Sequence, residues 1–260
     1  DTEDSDIDAK AIVLPTLNDM IMRRNLVSEI IDMSDGKCDV KDIRLVMDAI
    51  KNHSLNDVEI LFTPYYYIRE DKADILKPLQ TYREDIARCN IRAGVNQMYE
   101  RARKYYTKIQ KAGAHNKELI EKYGYNPKCV AHVLRLYDMI YAYCKGFSYG
   151  KNLVADNLLD VKKGVFSCEE ATDMAKEAFS KMQAFKNRWI EENEFTVMIR
   201  HIETDYYYRG GGTIRTIENL LDAVAMNAIR HDIARNMAIK LSDCMPIDVK
   251  MYTDTLYETM

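Results

Sequence analysis

The chain has 260 residues, 47% of them hydrophobic and 30% charged, with only 10 Gly and 5 Pro, which excludes collagen-like, low-complexity and disordered classes. That length holds one large domain or two small ones, each able to bury a core. Lys and Arg number 37 against 41 Asp and Glu, a formal charge of −4, so no global positive field recruits nucleic acid and any phosphate binding must be local.

Ile7 to Leu14 (IDAKAIVL) is β-branched and ends at Pro15, the pattern of a short buried strand. Thr16 or Asn18 can cap a short helix running to about Arg24. Residues 27–33 and 37–41 read as two strands around Ser34-Asp35-Gly36, where Asp-Gly is a hairpin signal. Asp42 stands where an N-cap is wanted, and Ile43, Val46, Met47 and Ile50 give one helical face up to Asn52. Val58 to Phe62 fits either one more helical turn or a strand, and His53 falls in a turn.

Pro64 and the run Tyr65 to Tyr67 mark a change of character, and after Lys77-Pro78 the pattern is helical almost to the end. A domain boundary is expected between residues 64 and 78, with residues 1–70 as an α/β (α+β) core on a small mixed sheet and 71–260 as a helical domain. The expected helices are 79–112, 116–123, 127–145, 151–160, 169–193 and 213–240, and Tyr206 to Gly212 is expected as a flexible loop. No repeat of fixed period appears, which disfavours a solenoid.

No apolar run approaches the roughly 20 residues of a membrane helix, and the acidic opening DTEDSDID is unlike a signal peptide. A cytoplasmic protein with no membrane partner is expected. The six cysteines are far apart and form no CxxC pair, so they read as reduced thiols rather than a zinc site or a disulfide scaffold.

The most informative residues directly precede the first strand. In a strand, side chains two apart share a side, so Asp6 and Asp8 present two carboxylates together while Ile7 packs inward. Hard Mg²⁺, or Mn²⁺ in its place, takes such oxygens together with substrate phosphates. A third acid from a neighbouring strand completes such a site. Asp42 is explained by capping, which leaves Asp39, inside a strand and without a local backbone role. Acid-rich chain ends are common, but DSDID leading straight into an apolar strand is a more specific pattern.

DSDIDAKAIVLP resembles the second half of the signature of the DNA polymerase β-type nucleotidyltransferase superfamily, an acid-hydrophobic-acid triplet on a strand after a Gly-Ser turn. Asp39 to Pro64, with its Asn56 turn and Glu59-Ile60-Leu61-Phe62, is similar to predicted bacterial and phage nucleotidyltransferases, including RNA-ligase-associated ones. Tyr125 to Leu136 (YNPKCVAHVLRL) looks like their Tyr-x-x-Lys, His, Arg-Leu helix, so the likeness spans about residues 1–145, with a looser echo near Thr213 to Ile233. No Gly-Ser turn precedes Asp4, and the chain opens at Asp1 without Met. That turn, which holds the nucleotide phosphates in the family, is therefore expected upstream.

Independently of that likeness, Asn126 is a good N-cap and Pro127 a good first helical residue. Lys128, His132 and Arg135 then fall at i, i+4 and i+7 on one face, apart from Val130 and Val133. A solvated basic face is the plain reading of such a stripe. The resemblance instead implies contact with a triphosphate or a nucleic-acid phosphate. His115, His201 and His231 have no metal-ligand spacing, the tyrosine clusters suit packing better than base stacking, and Arg209-Gly210-Gly211-Gly212 lacks the context of a phosphate loop.

These features imply transfer of an NMP from an NTP to a hydroxyl acceptor, an RNA terminus or a protein hydroxyl, with release of pyrophosphate. Asp6, Asp8 and Asp39 are the expected metal-binding and catalytic residues, Asp39 doubling as general base. Lys128, His132 and Arg135 are the expected substrate contacts, from a helical domain lining the same cleft. The rival readings are a non-catalytic nucleotide- or RNA-binding protein of the same fold and a helical partner-binding protein with an acidic tail.

Overall fold

The computed structural model describes residues 7–22, 24, 26–113, 116–150, 158–192, 207–208, 212–213, 217–245 and 248–260. The first strand forms as its β-branched run predicts, as β1 (Ile7–Val13). Thr16 caps α1 (Leu17–Ile21): its hydroxyl accepts from the Asp19 N–H, and the Asp19 carboxylate accepts from the Thr16 N–H at 3.1 Å, a reciprocal capping box. β2 (Ser28–Met33) and β3 (Gly36–Asp42) make the expected hairpin, with Met33 opposite Gly36. β3 is central, antiparallel to β2 and parallel to β1. Parallel pairing requires a crossover, which α1 and β2 supply.

Asp42 holds the entry to α2 (Ile43–Lys51) as expected. Its Oδ1 accepts from the Arg44 N–H at 2.9 Å, and its carboxylate takes the Arg44 guanidinium at 2.9 and 2.7 Å. Ile43, Val46, Met47 and Ile50 are buried as their spacing predicts, each contributing about 1.5–3 kcal/mol. The segment at Val58 is helical: α3 (Leu55–Glu59) runs into a 3₁₀ turn at Ile60–Phe62.

The helix expected over 79–112 is three helices, α4 (Ala73–Thr81), α5 (Arg83–Ile86) and α6 (Ile91–Tyr106). Asn90 explains the last break, because its side chain accepts from the Ala93 N–H and starts a new helix. α7 (Lys117–Tyr123) ends on Gly124 at φ 77°, the left-handed cap that glycine adopts without strain. α8 (Pro127–Cys144), α9 (Leu159–Lys162) and α10 (Cys168–Glu192) follow. Residues 151–157 of the expected 151–160 helix lie outside the described residues. Where a loop was expected, β4 (Tyr207–Tyr208) and β5 (Gly212–Thr213) pair antiparallel. α11 (Ile217–Ser242) and α12 (Val249–Thr259) close the chain, the second capped by Asp248.

The fold is mixed α+β, a small three-stranded sheet with many helices. Two compact units form. The first takes Asp1–Lys51, Asn56–Cys89 and Ile199–Met260, and the second Asn52–Leu55 and Asn90–Met198. The helical region is thus shared between them rather than forming one block after residue 70. In the first unit α2 packs on the sheet, and α11 packs on α2, α4 and α12. In the second, α6, α8 and α10 pack on one another and α9 lies on α8, around a core that includes Tyr125, Val130, Val133, Ala171 and Ala175. All six cysteines are free, and no described helix is long and apolar enough to cross a membrane.

His53 does lie in a turn, fully buried within the second unit, its ring 5.4 Å from that of Tyr143 and 5.9 Å from that of Tyr149. Gly94 is what lets these rings approach α6: a Cβ there would stand 2.8 Å from Tyr143 Oη and 3.0 Å from the imidazole. Gly94→Ala is expected to destabilise the chain by about 1–3 kcal/mol despite its better helix propensity, through overpacking. Urea denaturation with an unchanged m-value checks this.

Candidate functional site

Strand alternation decides which side chains share a surface. Asp8 stands opposite Lys37 and Lys10 opposite Asp39, so Asp8, Lys10, Lys37, Asp39 and Lys41 belong to one face and Ala9, Cys38 and Val40 to the other. Asp8 and Asp39 therefore lie on a common face, as expected. Asp6 lies outside the described residues.

Asp39 is already engaged. Its Oδ2 is 3.2 Å from Lys41 Nζ and 3.8 Å from Lys10 Nζ. Both ammonium groups also donate to Asp57 Oδ1, at 3.2 and 3.1 Å, and the Asp57 side chain from α3 is only 4% exposed. Burial works against the charge on Lys41, but its hydrogen bonds to Asp39 and Asp57 outweigh this and raise its pKa. The result is an ordered row of alternating charge rather than an open acidic patch. Asp57→Ala removes the buried acceptor of two cations and is expected to cost about 2–3 kcal/mol, less than a fully buried pair because the lysines reach water. Asp57→Asn is expected to restore part of this in the same denaturation measurement.

Carboxylates on one sheet face are hard oxygen donors of the kind Mg²⁺ or Mn²⁺ takes, so Asp8 and Asp39 suit a divalent ion in kind. Among the described residues, however, no three His, Cys, Asp or Glu side chains form a metal-binding group. Lys10 and Lys41 were missed in the sequence, yet each lies two residues beyond an acid on the same strand face, a period-two signal that could have found them. Asp57 gave no such local signal.

The second unit carries the basic helix. Asn126 Oδ1 accepts from the N–H groups of Lys128 and Cys129 at 3.1 and 3.3 Å, so α8 starts as its cap and Pro127 predict. Lys128 is exposed, His132 and Arg135 are half-buried, and Val130 and Val133 are buried on the opposite side. The His132 ring stacks on Tyr105 of α6, with centroids 4.3 Å apart and planes 16° from parallel. Burial, then the charges of Arg135, Lys162, Arg101 and Lys128, push its pKa down to about 4. His132 is therefore a neutral ring near pH 7, not a third positive charge. Arg101 and Lys162 belong to other helices, which is why the stripe on α8 alone did not suggest them.

The tyrosines divide. Tyr105 and Tyr106 are packing residues, the latter stacked on Phe179 at 4.7 Å, whereas Tyr65 and Tyr67 are largely exposed. His115, His201 and Arg209 to Gly211 lie outside the described residues. His231 sits in a network that ties residues 69–72 to α11. Its Nδ1 is 2.7 Å from the buried Lys72 Nζ, Lys72 also reaches Asp71 at 3.1 Å and Asp232 at 3.5 Å, and Arg69 bridges both aspartates at 2.7 Å. Hydrogen bonding to Arg69 is the main cause that holds the Asp71 carboxyl well below the usual range. Lys72 and Asp232 are buried in this cluster while Arg69 is exposed, so it fastens residues 69–72 to α11 from the surface inward.

Comparison with family models, with curated proteins and with solved structures returned no match to this chain.

Proposed function

We propose that the chain is a metal-dependent nucleotidyltransferase that moves an NMP from an NTP to a hydroxyl acceptor. The observation that carries this reading is the register that puts Asp8 and Asp39 on one sheet face, the strand geometry that the DSDID pattern implies.

In this reading Asp8 and Asp39, with Asp6, hold Mg²⁺ or Mn²⁺, which when bound neutralises phosphate charge. The acceptor oxygen bonds to the α-phosphorus as the bond from that phosphorus to the bridging oxygen breaks. Pyrophosphate leaves with the electron pair of that bond, and the hydroxyl proton passes to the Asp39 carboxylate. Lys10 and Lys41, which share the face, are placed to meet the negative charge that develops on the phosphoryl oxygens. Within the second unit, Lys128 and Arg135 are the α8 cations offered to phosphate, beside the neutral ring of His132.

A non-catalytic nucleotide- or RNA-binding protein is the second reading, favoured by the ion pairs that already occupy Asp39. The two part in one experiment. Each NTP is titrated with and without Mg²⁺ into the wild type and into Asp6→Asn/Asp8→Asn, read by thermal shift and by release of pyrophosphate in the presence of RNA and protein acceptors. Metal-dependent stabilisation and pyrophosphate release in the wild type alone are expected. Nucleotide binding without release, equal in both proteins, overturns the enzyme reading in favour of the second.

A further inference from the structure

We infer that the second unit binds a single-stranded nucleic acid along the surface where α6 and α8 pack together, through successive phosphates held by Arg101, Lys128, Arg135 and Lys162. The inference rests on the nucleotidyltransferase reading only in naming that strand as the acceptor.

The two helices are antiparallel where they meet. Tyr105 stacks on His132, and just past the end of α6 the Ile109 carbonyl accepts from the Asn126 N–H at 2.7 Å, at the start of α8. Antiparallel packing sets the Arg101 end of α6 beside the Arg135 end of α8. At the other end Lys128 is joined by the exposed Lys108, whose charge acts on Cys129. Lys162 of α9 adds to the same field at His132.

The cations thus fall into groups at both ends of a stacked ring pair. Seven helical residues separate Lys128 from Arg135, about 10 Å along the axis. One phosphate cannot reach both ends, whereas a strand places a charge at each. Between them the stacked Tyr105–His132 pair joins the two helices and holds the cationic ends at a fixed separation. The near-neutral total charge makes such binding local, and Lys128 and Lys162 are both exposed.

The test is fluorescence anisotropy with labelled 12-nucleotide RNA and DNA strands, over a salt series, on the full chain. Wild type is expected to bind with a strong salt dependence. Lys128→Glu/Lys162→Glu, at exposed positions where folding is unaffected, is expected to weaken binding at least tenfold and to flatten the log–log salt slope by about 1.4. Lys250→Gln, at an exposed cation of the first unit, is expected to bind as wild type does. Equal binding by the Lys128/Lys162 variant overturns the inference, and so does the absence of binding by folded wild type. Tighter retention of tripolyphosphate than of the strand at equal phosphate concentration also overturns it, in favour of a small-anion site. Strand binding without NMP transfer by wild type leaves the binding surface standing and removes the enzyme reading, so the two failures are distinguishable.

Discussion

Asp8→Asn is expected to lower Mg²⁺-dependent NMP transfer by roughly a thousandfold, equivalent to about 4 kcal/mol of transition-state stabilisation. The substitution keeps the side chain's shape and removes its charge. Asp8 is exposed and stands opposite Lys37 on the sheet face, so no buried partner is orphaned and stability is expected to change by less than about 0.5 kcal/mol. Single-turnover transfer from labelled NTP, beside a urea titration of the same preparation, separates the two quantities. Transfer at the wild-type rate in a variant of wild-type stability would sink the assignment of Asp8.

The second large effect is on stability and follows from His132. Its ordinary pKa is 6.5 and its folded value is about 4, so the unfolded chain binds the proton more readily. Stability from this residue is complete above pH 6.5 and is lost as pH falls from 6.5 toward 4, by about 2 kcal/mol at the lower end after solvent screening of this half-buried ring. His231 acts in the same direction, since burial and then Lys72 hold its pKa down too. His132→Phe retains a ring to stack on Tyr105 and removes the titration, so its loss of stability between pH 6.5 and 4 is expected to be smaller than that of wild type by about that amount. Urea titrations at pH 7, 6, 5 and 4 on both proteins make the comparison. Parallel pH profiles would show that the imidazole is not the group responsible.

What the sequence made legible was local. Period-two and period-3.6 spacings located β1, the hairpin, α2 and α8, and capping chemistry located Thr16, Asp42 and Asn126 at the element starts where they are found. The common face of Asp8 and Asp39 was readable because strand alternation is strict. The remainder depends on contacts between distant residues. Asp57 meets Lys10 and Lys41 across 47 and 16 positions, and Tyr105 meets His132 across two helices, which no single-element pattern encodes. The helix expected over 79–112 failed for a local reason: the apolar spacing hid Asn90, whose side chain caps a new helix. Loss of charge on His132 was hidden as well, because it depends on burial and on cations from α6 and α9.

The first unit is discontinuous, and residues 90–198 enter it as an insertion in the chain. On the ribosome, a nascent chain that has emerged only as far as residue 216 holds β1, β2, β3, α2 and α4 but not α11, the helix on which α2 and α4 pack. The inserted unit has all its own helices by then and can condense first, whereas the sheet waits for a partner more than 160 residues downstream of α2, a long closure that slows folding and leaves apolar surface uncovered in the interval. Order of synthesis and order of folding therefore run in opposite directions for the two units: the part made first is the part finished last.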